Sequence, residues 1–179
     1  GVDLYEVVKA IRMRPTHSNM MLPGIGVGGY CLTKDPLLAS WSRQNLIKGK
    51  GKLSCSENAV AINDKMPEYA FNFLESFFPN NSLMHKKIMM LGVSYAPDIG
   101  DTRYTPVELL YKKLKNIDCI IDLHDPYIPF WEEMGVNVNT EIKLIENSVD
   151  VIIFSTGHSI YRNNRDLVNS ILNLENIFI

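Results

Sequence analysis

Long apolar runs, long basic stretches and closely spaced cysteines are all missing from this 179-residue sequence. No segment approaches the roughly 18 consecutive apolar residues that span a bilayer, so we expect no membrane partner. No run of lysine and arginine is long enough to indicate nucleic-acid binding, and the formal net charge is only −2. With 46% hydrophobic residues, the chain can still bury the core of one domain or two small ones.

The sequence also lacks the residue patterns that are typical of metal sites and of disulfide frameworks. The three cysteines, Cys31, Cys55 and Cys119, are odd in number and far apart, unlike a disulfide framework or a metal site. The four histidines are equally scattered and lack the spacing of metal ligands. We therefore expect no bound metal, and we expect the reducing environment of the cytoplasm.

Chemically useful side chains are concentrated in residues 23–36, PGIGVGGYCLTKDP. Four glycines fall within six residues, and glycine lets a ligand approach the backbone closely. Cys31, Lys34 and Asp35 follow, so the stretch combines a possible nucleophile, a cation and a carboxylate. Asp35 and the proline after it are typical of the N-cap and first residue of a helix. The composition predicts an active-site loop that leads into a short helix.

The same glycines match the dinucleotide-binding fingerprint G-x-G-x-x-G over residues 24–29. That fingerprint is meaningful only between a buried strand and a helix of a βαβ unit. Residues 15–22 before it are mostly polar or interrupted by proline, and another proline follows at position 36. We therefore do not interpret the stretch as a dinucleotide-binding turn.

Residue chemistry alone leaves two interpretations of Cys31 open. Lys34 lies three residues on, and a cation or a helix N-terminus stabilises the thiolate form that acts as a nucleophile. Single cysteines are, however, usually small buried hydrophobes. An unrelated cysteine-based transferase would need a histidine paired with the thiol, and neither His17 nor His85 is an evident local candidate.

The chain is organised as helices first, with strands and helices alternating afterwards. Ser54 and Glu57 suggest a capping box for a long helix to about residue 78, which we expect Pro67 to kink or to split. Beyond the turn formers at 79–82, strands are predicted at 87–93, 118–123, 149–155 and 177–179, a minor strand at 136–138, and helices from 105 and at 129–134, 140–146 and 166–174. The alternation predicts an α/β fold with a doubly wound parallel sheet.

Ligands of such sheets bind beyond the carboxyl ends of the strands, where three loops are expected. The first, residues 94–106, is long and charged, and loops of this kind are often functional. The other two are residues 124–127 and 156–158. A structural turn pair between Asp101 and Arg103 is the alternative interpretation of the charges in the first loop.

Two stretches resemble the UDP-glucose/GDP-mannose dehydrogenase family. Residues 23–36 are similar to its catalytic loop, in which a glycine-rich turn precedes a cysteine and then an aspartate. Residues 95–106 are similar to its acidic run followed by Arg, a variable residue, Ser and Pro. The resemblance covers nearly the whole chain. It implies a helical central-domain segment at residues 1–80 and a Rossmann-like, nucleotide-sugar-binding domain at residues 81–179.

The family resemblance also implies an activity. Members oxidise the C6 alcohol of a nucleotide sugar to the carboxylate with NAD, here a UDP-sugar, through a thiohemiacetal and a thioester on the residue that matches Cys31. Asp35 would assist the attacking water, and Lys34 and Arg103 would contact NAD. The implied substrate-binding residues are Gly28, Tyr30 and Tyr95. Asp125, in the acidic-proline turn after the second strand, is interpreted as structural with a minor ligand role.

One departure from the family pattern leaves an alternative open. Ala96 stands where the family has a lysine that contacts the sugar nucleotide, which favours a catalytically inactive nucleotide-sugar-binding or dimerisation module. The chain opens on Gly1 and lacks the family's N-terminal NAD-binding domain. We therefore expect a fragment that is inactive alone, from a protein that forms a homodimer.

Overall fold

The structure, a computed structural model, describes residues 1–80, 82–142 and 149–174. Helices occupy the first part of the chain, and strands alternate with helices in the second. The elements are α1 (Leu4–Arg12), α2 (Tyr30–Asn45), α3 (Ser54–Ser76), β1 (Lys87–Leu91), α4 (Val107–Asn116), β2 (Ile120–His124), β3 (Phe130–Trp131), β4 (Val136–Asn137), β5 (Val151–Phe154), α5 (Ser159–Asn163) and α6 (Arg165–Leu172). None of the helices in these described ranges combines the length and the apolar character that crossing a membrane requires.

Helix α2 begins earlier than the sequence predicts. Gly29, with φ of +83°, is its N-cap, and Tyr30 is its first residue. The expected start at Asp35 was wrong because Pro36 lies inside the helix rather than at its first position. The left-handed conformation of Gly29, which glycine adopts without strain, turns the extended loop into the helix. Cys31 therefore lies in the first turn of α2.

Helix α3 is one continuous helix of 23 residues with Pro67 inside it. The expected capping box at its start is wrong, because Leu53 is the N-cap and no side chain caps the helix. Glu57 instead accepts a hydrogen bond from the Ser40 hydroxyl of α2. The carboxylate thereby joins two helices rather than closing the end of one.

The second part of the chain contains a parallel sheet in the order β2-β1-β5. Side chains alternate along β1, so Ile88 and Met90 belong to one apolar cluster and Leu91 to another. Helix α4 packs in the first cluster, and Leu167 of α6 packs in the second. Helices on both faces of a parallel sheet confirm the doubly wound α/β fold.

The predicted helix at 129–134 is wrong, and the minor strand after it is confirmed. Residues 130–137 form a short antiparallel hairpin of β3 and β4. Trp131 is fully buried and packs on Tyr111 of α4, with 5.4 Å between the ring centroids. Burial of this large ring against α4 stabilises the hairpin relative to the helix that the sequence predicts here.

The end of α3 shares the core of the sheet. Phe71 and Leu74 belong to the same buried cluster as the strand residues, and Lys113 of α4 pairs with Glu68 at 2.9 Å. The domain boundary between residues 80 and 81 stays a prediction. Most of the helix expected at 140–146 and the whole strand expected at 177–179 lie outside the described residues.

Candidate functional site

The loops that follow the strands meet at a buried carboxylate, Asp125. Its Oδ2 accepts hydrogen bonds from both polar groups of Ser94, from the backbone N–H of Val93 and from His158, at 2.7–3.1 Å. Its Oδ1 accepts from the backbone N–H of Tyr127 at 2.9 Å. Burial alone would raise the pKa of Asp125, but the bond from His158 and the other donors outweigh it and lower the pKa to about 2.

His158 extends this network to the loop after β1. Its Nδ1 accepts the backbone N–H of Asp98 at 2.9 Å, so its proton resides on Nε2 and is donated to Asp125. Asp98 in turn accepts from both the N–H and the hydroxyl of Ser159, and these bonds lower its pKa. The loops after β1, β2 and β5 are thereby joined. Sequence reasoning noted the loop of His158 but missed its role.

The loop after β1, residues 92–106, which we call the sheet-edge loop, contacts the glycine loop, residues 23–29. The backbone N–H of Gly29 donates to the Arg103 carbonyl at 3.2 Å. A Cβ at Gly28 would lie 2.6 Å from both the Tyr104 carbonyl oxygen and the Tyr95 Cβ. Glycine is required at this position because no side chain fits between the two loops. The structure thus brings Gly28 together with Tyr95 and Arg103, both of which lie more than 60 residues after it in the sequence.

Helix α3 holds the glycine loop from another side. The Asn63 side chain pairs with both backbone groups of Val27, accepting from its N–H and donating to its carbonyl at 2.7 Å each. At the end of the loop, the Thr33 hydroxyl donates to the Gly29 carbonyl at 2.8 Å. Sequence reasoning gave Asn63 no role, because nothing in the residues around it points to a partner 36 positions away.

Cys31 is exposed in the first turn of α2, next to the positive end of the helix dipole. Lys34 and Asp35, in the next turn, form an ion pair with 3.0 Å between nitrogen and oxygen. The Lys34 ammonium also lies 4.3 Å from the centroid of the Tyr30 ring. Its hydrogen bond to Asp35 raises the pKa of Lys34. The predicted nucleophile, cation and carboxylate therefore lie on one end of one helix.

Two half-exposed aromatic rings adjoin this helix end. The Tyr30 and Tyr104 centroids are 5.6 Å apart, and Tyr104 has a positive φ of 54°, which is uncommon outside glycine. Between them and the sheet, Arg103 donates through Nε and Nη2 to Asp101. This bond raises the pKa of Arg103 and lowers that of Asp101, and Tyr30 contributes to the shifts of both Arg103 and Lys34.

The turn pair between Asp101 and Arg103, which the sequence left as an alternative, is thus formed. It does not remove Arg103 from solvent, because 66% of the side chain stays exposed. Ligands can reach the guanidinium from that side. Within residues 1–80, 82–142 and 149–174, no group of three or more His, Cys, Asp or Glu side chains is arranged to hold a metal ion.

A parallel sheet with helices on both faces and loops that meet at the strand ends defines a Rossmann-like α/β protein, and solved structures of similar fold agree. The chain belongs to the UDP-glucose/GDP-mannose dehydrogenase family. Residues 1–65 match the model of the family's central domain, and residues 89–178 match the model of its UDP-binding domain. The resemblance of the sequence to this family of nucleotide-sugar dehydrogenases is therefore confirmed.

Named relatives support the assignment. The chain is 30% identical over 164 residues to a UDP-N-acetyl-D-mannosamine dehydrogenase of Methanococcus aeolicus, covering 90% of the chain and 34% of the relative. A structure of an NDP-N-acetyl-D-galactosaminuronic acid dehydrogenase from Methanosarcina mazei is similar in fold, with a TM-score of 0.80, 24% identity and coverage of 99% and 39% of the two chains. A UDP-D-ManNAc dehydrogenase from Pyrococcus horikoshii gives a TM-score of 0.68 at 27% identity, with 92% and 37% covered. The chain spans about a third of the length of the curated relatives it matches.

Proposed function

We propose that this chain carries the substrate-oxidising cysteine and the nucleotide-sugar site of a UDP-sugar 6-dehydrogenase. The observation that carries the proposal is the contact between the glycine loop and the sheet-edge loop, through Gly29 and Arg103. Cys31 is exposed and follows Gly29 by two residues, so this contact supports a site near the edge of the sheet where ligands of doubly wound folds bind. The reaction would convert the C6 alcohol of a UDP-sugar to a carboxylate.

In this proposal Cys31 holds the intermediate aldehyde. Its sulfur bonds to C6 as the thiol proton passes to the carbonyl oxygen, giving a thiohemiacetal. Loss of the C6 hydride, together with release of the hydroxyl proton to water, then leaves a thioester. Asp35, one turn along α2, orients the water that hydrolyses the thioester and frees the thiol. The ion pair with Lys34 keeps the Asp35 carboxylate on this side of the helix.

Two cations fit an anionic cofactor at this helix end. Lys34 and Arg103 are both exposed. The Lys34 ammonium lies against the Tyr30 ring, and that ring packs on Tyr104, the residue after Arg103, so the two cations are close to one surface. We propose that they contact NAD, which when bound accepts the hydride in both oxidation steps. The donor set is suitable for a pyrophosphate, because ammonium and guanidinium groups are the usual protein partners of phosphate.

The nucleotide sugar would lie along the outer rim of the two loops, which pack too tightly to admit it between them. Tyr30 and Tyr95 offer rings at this rim, and Gly28 would contribute by keeping the two loops in close contact. Tyr95 packs on the glycine loop, since its ring would be 2.9 Å from a Cβ at Gly29. These three residues are proposed to line the substrate site.

A catalytically inactive nucleotide-sugar-binding or dimerisation module is the second candidate. The observation that favours it is Ala96, which supplies no cation where the family has a lysine. An unrelated cysteine-based transferase is excluded by the family to which the chain belongs.

We further propose that the 179-residue chain alone does not oxidise the nucleotide sugar, because it spans only about a third of the length of its relatives. The whole protein would act as a homodimer in the cytoplasm, a location that the three unpaired thiols support.

Calorimetric titration of the chain with UDP, UDP-glucose, UDP-N-acetylmannosamine and NAD tests the proposal. We expect a UDP-sugar to bind and NAD to bind weakly, and the preferred sugar identifies the substrate. Failure of every UDP-sugar to bind would overturn the proposal that this chain holds the substrate site. Oxidation of UDP-glucose by the purified chain with NAD would overturn the proposed inactivity.

Protection of Cys31 from iodoacetamide by a UDP-sugar C6-aldehyde separates the two candidates. The dehydrogenase proposal predicts protection that reverses on dilution, because the thiohemiacetal is reversible. Binding of UDP-sugars without protection of the thiol would favour the inactive module.

A further inference from the structure

Asn63 makes the one pair of hydrogen bonds between helix α3 and the glycine loop that the described ranges of the chain record. Its side-chain amide matches a backbone peptide in presenting one acceptor and one donor side by side. Both bonds, at 2.7 Å, go to the same residue, Val27. The side chain therefore fixes the position of a loop backbone and the direction in which it runs.

Packing contacts hold the residues just before Val27, because Ile25 lies against the core cluster and Pro106 lies beside Gly26. Val27 itself is 51% exposed, so its burial does little to hold the loop. Nothing lies within 4 Å of a Cβ at Gly24, so the start of the loop is open. Glycine-rich backbone loses much conformational entropy on ordering, and directed hydrogen bonds can offset part of that cost.

Pro67 leaves one carbonyl of α3 without its usual helical donor, at the residue that contacts the loop. It has no N–H to donate to the carbonyl four residues earlier, which is that of Asn63. The Asn63 carbonyl oxygen faces Gly26, at 3.6 Å from the position of a Cβ there. The helix thus presents both its backbone and its amide side chain to the loop at one residue.

We infer that Asn63 is a positioning residue, which holds the glycine loop so that the first turn of α2 presents Cys31 to the substrate. Val27 precedes Cys31 by four residues, and the two glycines between them are enclosed by Tyr95 and Tyr104. Asn63 fixes one side of this connection, and the bond from Gly29 to Arg103 fixes the other. The inference rests on the proposed role of Cys31 as the nucleophile.

Amide hydrogen exchange tests the geometry without any activity. Asn63→Ala removes both bonds to Val27, whereas Asn63→Asp keeps the acceptor and loses the donor. Asn72→Ala is the matched control, because Asn72 is an exposed residue of the same helix. We expect exchange in the peptide of residues 24–33 to rise at least tenfold in Asn63→Ala, by less in Asn63→Asp, and not at all in Asn72→Ala. Unchanged exchange in Asn63→Ala would overturn the inference.

Aldehyde trapping by Cys31 tests the consequence, in a Cys55→Ser background so that one exposed thiol remains. The probe is a UDP-sugar C6-aldehyde, and iodoacetamide measures the free thiol. We expect Asn63→Ala to keep the half-saturating concentration of the aldehyde within twofold of the wild-type value. The fraction of Cys31 that is trapped at saturating aldehyde should fall about fivefold, and Asn63→Asp should restore part of it. A merely structural loss would weaken binding as well.

The two experiments keep the inference separate from the proposed function. If the wild-type chain traps no aldehyde, the nucleophilic role of Cys31 is contradicted, while hydrogen exchange still decides whether Asn63 holds the loop. If the wild type traps aldehyde and Asn63→Ala traps it equally well, the inference is overturned and the proposed function stands.

Discussion

At the scale of single residues, burial separates the three thiols. Cys31 and Cys55 are exposed, whereas Cys119 is buried, and its thiol donates to the Leu83 carbonyl at 3.3 Å. Burial also raises the pKa of Cys119, which disfavours the reactive thiolate. We expect a disulfide reagent to titrate two thiols in the native chain and a third only in denaturant. Cys55→Ser should leave one fast thiol, and a slow Cys31 would contradict the exposed geometry.

Asp125 is the residue whose titration should matter most for stability. Its pKa of about 2 lies below the ordinary value of 3.8, so its ionised form stabilises the fold above pH 4. That stabilisation, about 2 kcal/mol from the size of the shift, is lost as the pH falls through 2. We expect Asp125→Asn to lower the free energy of unfolding by about 3 kcal/mol at pH 7, because buried donors lose their charged partner. The difference in this free energy between the variant and the wild type should become smaller towards pH 2.

Urea unfolding at a series of pH values measures this difference. Asp122→Asn is the control, because Asp122 is exposed on the neighbouring strand. A destabilisation by Asp125→Asn that stays constant from pH 6 to pH 2 would show that the carboxylate is not the source of the pH dependence.

At the scale of elements, the glycine loop is held by a close steric fit. Alanine at position 28 would place its Cβ 2.6 Å from the Tyr104 carbonyl oxygen, so one of the two loops must move. We expect Gly28→Ala to lower the free energy of unfolding by about 1–3 kcal/mol and to weaken UDP-sugar binding. Thermal unfolding and calorimetry measure both effects. Gly24→Ala is the matched control, since its Cβ meets nothing within 4 Å; equal effects of the two changes would contradict the fit.

The elements that the sequence predicted well are those with a single dominant signal. The strands β1 and β5 are nearly continuous apolar runs, and both were expected. The start of α2 was missed because the rule that places proline at a first helical position competed with the conformation of Gly29, which the letters alone do not show. The sequence predicted a helix around Trp131 because its packing on Tyr111, 20 positions away, is a tertiary contact that the local sequence does not show.

For the candidate site, the sequence grouped only residues that are neighbours along the chain. Cys31, Lys34 and Asp35 were proposed together and lie on one helix end. The contacts that join this end to the rest of the protein, through Asn63 and Arg103, cross 36 and 74 positions. Contacts of that range depend on how the elements pack, which hydrophobic pattern and spacing do not specify.

At the scale of the whole molecule, α3 couples the helical part to the sheet. Phe71 is 8% exposed and lies in the core cluster of the strands, whereas Phe73 on the same helix is 65% exposed. We expect Phe71→Ala to lower the free energy of unfolding by about 3–4 kcal/mol and Phe73→Ala to lower it by less than about 1 kcal/mol. Urea unfolding followed by the fluorescence of buried Trp131 measures this. If Phe71→Ala left the Trp131 transition unchanged, the two parts would unfold independently.

In the order β2-β1-β5, the chain passes from β1 to β2 on one side and then crosses to β5 on the other, so the topological switch point lies between β1 and β5. Open α/β sheets form their ligand crevice at such a point. Here the loops after β1 and β5 pack against each other at that point. Thr156 lies so close to Gly92 that a Cβ there would be 2.5 Å from its own, and its hydroxyl bonds to the Ser94 carbonyl. In the proposed function, the nucleotide would therefore sit farther out than the strand ends, on the rim formed by Tyr95 and Tyr104. Part of its pocket would then be formed by the glycine loop, which comes from the helical part of the chain and not from the sheet.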